Sequence, residues 1–149
     1  MRIYKVYAIK NGTVIDHIPE GKGLDIIDLL NLRQWKKIVT LGIGFTSKRL
    51  GKKDLIKIED KELTPEEVNK IAIIAPTATI NIIRNFKRAK KFRVKIPDMI
   101  EGIVKCANPA CITNHDNVST KFYQEKGKKP KLRCHYCERY FEHEELELI

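Results

Sequence analysis

The chain contains four cysteines, and all of them fall between Cys106 and Cys137. They form two pairs, Cys106-x4-Cys111 and Cys134-x2-Cys137, with twenty-two residues between the pairs. A thiolate pair two to four residues apart grips one side of a tetrahedral ion, and a second pair closes the shell. The spacing therefore predicts a terminal segment folded around a metal. Zinc is the ion expected, because it takes thiolate ligands and makes no redox demand. Two disulfides are the alternative on spacing alone, but they belong to oxidising compartments. The sequence gives no sign of one: Met1-Arg2-Ile3-Tyr4-Lys5 has no apolar signal core, and no run is long enough to span a membrane. A cytoplasmic protein with one structural zinc is expected. Four thiolates leave no open position for water, which argues against a catalytic ion.

The 149 residues suffice for one or two small domains, and 42% hydrophobic content supports at least one apolar core. The net charge of +10 is unevenly distributed. Seven Lys or Arg lie between Arg84 and Lys95 with no acidic residue among them, and Lys48, Arg49, Lys52, Lys53 and Lys57 form a second cluster. The last twelve residues instead carry five Glu and one Arg. Clustered positive charge suits a polyanionic partner such as a nucleotide phosphate chain, although a solvated surface has the same composition.

Taken in order, Ile3 to Ile9 reads as a strand, Asn11-Gly12 as a tight turn, and Thr13-Val14-Ile15 as extended chain. Leu24 to Leu32 reads as a helix with Leu24, Ile27 and Leu30 on one face at helical spacing. Strands are expected over Lys37–Phe45 and Leu55–Ile58, with Thr46–Lys53 as a basic loop between them. Thr64-Pro65-Glu66-Glu67 is a helix start with the pattern of a capping box, and the helix must end before Pro76. Ala78–Ile83 is the next strand, Asn85 a turn, and Arg88–Lys95 is extended. The order β-α-β-β-α-β is that of a ferredoxin-like α+β domain. Ile96-Pro97 marks the boundary, giving domains 1–97 and 98–149. The second is expected to be a small all-β zinc-ribbon or rubredoxin-like module. Phe122, Tyr123, Tyr136, Tyr140 and Phe141 are expected to form its modest core. No catalytic constellation stands out, and there is no glycine-rich phosphate loop. Asp16-His17 is the one pair in the first domain with the chemistry to orient a ligand, although a surface pair would look the same.

Several longer segments are distinctive. Gly12-Thr13-Val14-Ile15-Asp16-His17-Ile18-Pro19 resembles the opening segment of the aspartate carbamoyltransferase regulatory chain family. Gly51 to Glu59, Ala75-Pro76-x-Ala78-Thr79-x-Asn81, Cys106-x-Asn108-x-x-Cys111-Ile112 and Cys134-x-Tyr136-Cys137-Glu138 resemble it too. The resemblance covers nearly the whole chain. It implies a non-catalytic subunit of pyrimidine biosynthesis that binds CTP, ATP and UTP on its first domain, pairs with a second copy, and docks on the catalytic chain through its zinc domain. By position it implies that Asp16 and Lys57 contact ribose and base, that Lys91 contacts the triphosphate, and that His17 reads sugar or phosphate nearby. It further implies that Ala8, Ile9 and Asn81 frame the base and that Val14, Ile83 and Phe86 line the pocket. Phe86 stands where a tyrosine is usual, and Arg88 where a small apolar residue is usual. The rival readings are a zinc-ribbon nucleic-acid binder, which leaves Asp16-His17 and the acidic end unexplained, and a rubredoxin-like electron carrier, which needs iron. Neither nucleic acid nor a membrane is the expected partner.

Overall fold

Alternation of β-branched and polar residues builds the first sheet. In the computed structural model, which describes residues 8–127 and 131–149, the chain divides into two units, Met1–Lys95 and Ile96–Ile149. The first runs β1 (Gly12–Pro19), α1 (Gly23–Leu29), β2 (Val39–Ser47), β3 (Gly51–Glu59), α2 (Pro65–Ile74), β4 (Thr79–Arg84) and β5 (Lys87–Arg93). These strands form one antiparallel sheet in the order β2-β3-β1-β4-β5, the ferredoxin-like arrangement with β5 added at one edge. Of the strand expected over Ile3–Ile9, residues 3–7 lie outside the described residues, and Ala8 and Ile9 belong to no described strand.

One face of the sheet is apolar. Ile15, Ile56, Ile58 and Ile80 are buried there with Ile26 of α1 and Ile71 and Ile73 of α2. Each such side chain contributes about 1.5–3 kcal/mol relative to exposure. The start of α2 is as expected: Thr64 Oγ1 accepts from the Glu67 amide at 3.1 Å, and Glu67 Oε1 accepts from the Thr64 amide at 2.9 Å. Five of the seven residues of the outer strand β5 are Lys or Arg, which discourages edge-to-edge pairing with another sheet.

Helix α1 differs from expectation in length and rotation. It stops at Leu29, because Asn31 adopts a left-handed φ of 54° and a short 3-10 turn, Leu32–Gln34, follows. Its buried stripe is Gly23, Ile26, Ile27 and Leu30, whereas Leu24 is 48% exposed. The cause lies on β3. Fully buried Asp54 accepts hydrogen bonds from the Gly21 and Gly23 amides at 3.0 and 2.9 Å through Oδ2, and from the Gly44 amide at 3.3 Å through Oδ1. That carboxylate pins the helix start against the sheet. Glycine at position 23 lets the helix start approach the sheet closely, since a Cβ there would lie 2.8 Å from Leu41 Cδ1 and 2.9 Å from Asp54 Oδ2.

The basic loop expected over Thr46–Lys53 is mostly strand. β2 and β3 pair out to Ser47↔Gly51, so only residues 48–50 turn, with Gly51 at φ 79° closing the hairpin. Charged residues at the tip of an exposed hairpin mask its alternation.

The second unit contains β6 (Met99–Glu101), β7 (Val104–Lys105), β8 (Lys121–Glu125), β9 (Lys131–Cys134), β10 (Tyr140–Glu142) and β11 (Glu147–Leu148). A four-stranded sheet has the order β10-β9-β8-β6, and β11 pairs with β7. Ile96, Ile100, Val104, Phe122, Leu132, Phe141 and Leu146 are buried apolar residues of this unit, with Phe122 edge-on to Phe141 at 6.4 Å. Tyr123, Tyr136 and Tyr140 do not join them, contrary to expectation. Tyr123 and Tyr140 alternate onto the outer face, in register with Met99 and Arg133. Tyr136 stands on the loop between Cys134 and Cys137. The outer face balances its charges: Lys121 opposes Glu101, and Lys131 lies between Glu125 and Glu142.

Candidate functional site

Two sites emerge, one in each unit. In the second, Cys106 follows β7, Cys111 precedes a 3-10 turn (Ile112–Asn114), Cys134 ends β9, and Cys137 lies in the tight loop beyond it. Their four sulfurs lie within 4.8 Å of one another. Cys106 Sγ is 3.7 Å from Cys137 Sγ, and Cys111 Sγ is 3.8 Å from Cys134 Sγ. A disulfide needs about 2.05 Å. A tetrahedron with zinc–sulfur arms of about 2.3 Å has edges of about 3.8 Å. The observed separations are those of a closed tetrahedral thiolate site, and the four cysteines hold one structural zinc.

The loops are built to present those sulfurs. Asn114 Nδ2 donates to the Cys106 and Asn108 carbonyls at 3.0 and 2.8 Å, and the Cys111 amide donates to the Asn108 carbonyl at 3.0 Å. In the second loop the Glu138 amide donates to the Cys134 carbonyl at 3.0 Å, and Glu138 takes a left-handed φ of 62°. Burial pushes the Cys106 and Cys134 thiols up, against backbone hydrogen bonds from Asn108 to Cys106 and from Cys137 and Tyr136 to Cys134. At Cys137 burial acts the same way, but hydrogen bonds from the Arg139 backbone, the Asn108 side chain and neighbouring thiols outweigh it and bring its pKa to about 7. Buried sulfurs that resist ionisation alone become stable thiolates when a dication sits among them.

The site in the first unit occupies the sheet face opposite the helices. A cavity of about 500 Å3 is lined there by Val14, Asp16 and His17 from β1, Leu55 and Lys57 from β3, Thr79, Asn81 and Ile83 from β4, and Arg88 and Lys91 from β5. Strand register explains much of this: Val14 is flanked by Lys57 and Asn81, and Asn81 by Lys91. Asp16 and His17 are consecutive, and regular alternation would place only one of them on this face. The register of β1 on β3 jumps from Ile15↔Ile56 to Ile18↔Asp54, a bulge, and His17 has φ 55°. Both side chains thereby line the cavity.

A network holds them there. Asp16 Oδ1 accepts from the His17 amide at 2.6 Å and pairs with Lys53 Nζ at 2.8 Å. His17 Nδ1 lies 2.8 Å from Thr79 Oγ1, and the Thr77 hydroxyl donates to the His17 carbonyl at 2.8 Å. Arg49 donates to the Thr77 carbonyl. Burial holds the His17 pKa below its ordinary value; Asp16 opposes this, while Arg49, Lys53 and Lys91 reinforce it. Burial also lowers Lys57, again opposed by Asp16.

Of the ten residues expected around a ligand, seven line this cavity: Val14, Asp16, His17, Lys57, Asn81, Ile83 and Lys91. Ala8, Ile9 and Phe86 do not. Phe86 shares a two-residue hairpin turn with Asn85, both at positive φ, and is 64% exposed. Leu55 and Thr79 were missed, although alternation with Lys57 and Asn81 places them on the same face. Lys53 was read only as part of a basic run, yet it is the cation paired with Asp16.

A ferredoxin-like α+β unit joined to a four-thiolate zinc ribbon defines the class: a two-domain protein whose metal is a structural staple. Residues 4–95 match the family described as aspartate carbamoyltransferase regulatory chain, allosteric domain, and residues 98–147 match the corresponding metal binding domain. The chain therefore belongs to the aspartate carbamoyltransferase regulatory chain family and is a non-catalytic subunit. It is 57% identical over 144 residues to the regulatory chain of Pyrococcus horikoshii, and 56% identical over 144 residues to that of Pyrococcus abyssi; each alignment covers 95% of both chains. The Methanothermobacter thermautotrophicus regulatory chain is 46% identical over 144 residues, covering 96% of this chain and 92% of the relative. Among the described residues no helix is long and apolar enough to cross a membrane.

Proposed function

We propose that residues 1–97 form a nucleotide-binding allosteric domain, and that residues 98–149 dock on the catalytic chain of aspartate carbamoyltransferase in the cytoplasm. The observation that carries the first part is the cavity on the open sheet face. Lys57 and Lys91 supply positive charge, Asp16 and Asn81 supply polar contacts for sugar and base, and Val14, Leu55 and Ile83 supply apolar surface for a base. Lysine suits a phosphate chain as a flexible point charge. CTP, ATP and UTP are the effectors proposed. A second copy of the chain is the proposed partner of this domain, because among the described residues strand β2 is a sheet edge, with Ile38 exposed just before it and Ile43 exposed on it. Ile112 and Tyr136, exposed on the metal-held loops, support docking through the zinc domain.

Calorimetry of CTP and ATP on variants tests the site. Lys57→Ala and Lys91→Ala each remove a charge-assisted contact and should cost about 1.5–3 kcal/mol of affinity. Lys52→Ala lies in the same basic run but outside the cavity lining, so it should cost much less. Asp16→Ala should weaken binding, since it removes a polar contact and releases Lys53. Equal losses at all three lysines, with tighter binding by Asp16→Ala, would leave only a basic surface.

His17 adds a pH signature. Its pKa lies below the ordinary 6.5, so the ring is neutral at pH 7 and gains charge as pH falls below 6.5. A polyanion favours the charged ring, so nucleotide affinity should rise with proton uptake over that range. His17→Asn, which tolerates the left-handed backbone, should bind CTP without that component. An unchanged pH profile in the variant contradicts the contact. In the free protein the linkage is opposite: the stability tied to neutral His17 is complete above 6.5 and is lost as pH falls through the depressed pKa.

A further inference from the structure

The cavity contains one side chain whose presence depends on a backbone irregularity. Along the β4–β5 ladder, Asn81 opposes Lys91 and Ile82 opposes Lys90, then the register jumps so that Ile83 opposes Arg88. Without that bulge Ile83 would face Ala89, a residue with no polar group. The bulge adds one residue to β5 and turns Arg88 onto the cavity face, where it lines the wall with Ile83 and Lys91. Among the described residues the Arg88 guanidinium has no ion-pair or hydrogen-bond partner, and the residue is exposed.

Its position separates it from the other polar groups. Strand register places Asp16, Thr79 and the adjoining His17 in one row of the open face, and Lys57, Asn81 and Lys91 in the next. Arg88 and Ile83 occupy the third row, furthest from the Asp16 carboxylate. A planar guanidinium beside an apolar side chain fits the edge of a flat, aromatic ligand group. Its two parallel N–H donors match two adjacent acceptors. Cytosine offers such a pair at O2 and N3, and guanine at O6 and N7. Adenine places an amino donor next to each ring acceptor on the corresponding edges, and uracil places its N3–H between two carbonyls.

Building on the nucleotide reading of this cavity, we propose that Arg88 is its specificity-determining residue and selects bases with two adjacent acceptors, cytosine and guanine, over adenine and uracil. The bulge at Ile83 is the device that delivers it. A guanine nucleotide is thereby added to the effectors this chain binds.

The test is calorimetry of CTP, GTP, ATP and UTP on the zinc-loaded full chain at one ionic strength, with Arg88→Leu and Arg88→Lys. The wild type should bind CTP and GTP more tightly than ATP and UTP. Arg88→Leu should weaken CTP and GTP binding about ten- to a hundredfold, the worth of one bidentate base contact, and ATP and UTP by less than about threefold. Arg88→Lys, which keeps the charge and loses the fork, should behave like Arg88→Leu toward CTP and GTP. Unchanged thermal unfolding of both variants verifies the fold, as expected for an exposed edge-strand side chain. Equal losses for all four nucleotides with rescue by lysine would make Arg88 a phosphate contact and overturn the proposal. No loss for any nucleotide would also overturn it. If the wild type binds none of the four, the nucleotide reading itself fails.

Discussion

Replacing Cys111 by Ser should release the zinc and unfold the second unit while leaving the first folded. The four sulfurs form a closed tetrahedron, and serine removes one corner. Structural zinc in small domains contributes on the order of 10 kcal/mol at neutral pH. The unit from Ile96 to Ile149 has little else to replace it, with a few buried residues on short strands. Metal analysis should find no bound zinc, and amide exchange should lose protection across β6 to β11 while β1 to β5 keep theirs. The same variant separates the proposed roles of the domains. It should still bind CTP and still sediment as a dimer at micromolar concentration, yet fail to co-purify with catalytic chains. A variant that assembles normally in chelator would show that docking does not depend on the zinc-held fold. A wild-type chain that sediments only as monomer would remove the proposed dimer.

Asp54→Ala should be the most damaging single change in the first unit that leaves every apolar core residue in place. Its carboxylate accepts from three backbone amides, those of Gly21, Gly23 and Gly44, and is fully buried. Hydrogen bonds to a charged group are worth about 1.5–3 kcal/mol each, and orphaned buried amides cost more than absent ones, so a loss of about 4 kcal/mol is expected. Two of those amides flank the start of α1 and the third lies on the bulged part of β2, so both segments should loosen together. Asp54→Asn should recover part of the loss, since its carbonyl oxygen can still accept from one side while its amino group cannot. Denaturant unfolding of the two variants measures this directly. A loss below about 1 kcal/mol for Asp54→Ala would mean that water satisfies those amides and that the carboxylate does not organise the helix start.

The metal centre was fully legible in the sequence, because metal-ligand spacing is local and chemically specific. The Cys106–Cys111 and Cys134–Cys137 pairs each lie on one short loop, and only their convergence needed the fold. The capping box at Thr64 and Glu67 was legible for the same reason: both hydrogen bonds span three residues. Alternation also identified most strands, since Ile56 and Ile58 face the helices while Leu55 and Lys57 face away. Leu24, in contrast, shares helical spacing with Ile27 and Leu30, yet they are buried and it lies outside. The rotation of α1 is set by Asp54, thirty residues later in the chain, and no periodicity within the helix reports that. The cavity divides in the same way. Lys57, Asn81 and Lys91 follow from alternation once the strand order is known. Asp16 beside His17, and Arg88 in place of Ala89, face the cavity only because β1 and β5 each carry a bulge. A bulge adds a residue to one strand against its neighbour, so it exists only in the pairing of strands distant in sequence. The sequence alone therefore determined the metal ligands, the helix start and the sheet's two faces, because each depends on neighbours a few residues apart. The family resemblance named Asp16, His17, Lys57 and Lys91. Only the tertiary structure showed how they meet in one cavity, with Lys53 on Asp16 and Arg88 on the wall, because long-range register selects the face each one takes.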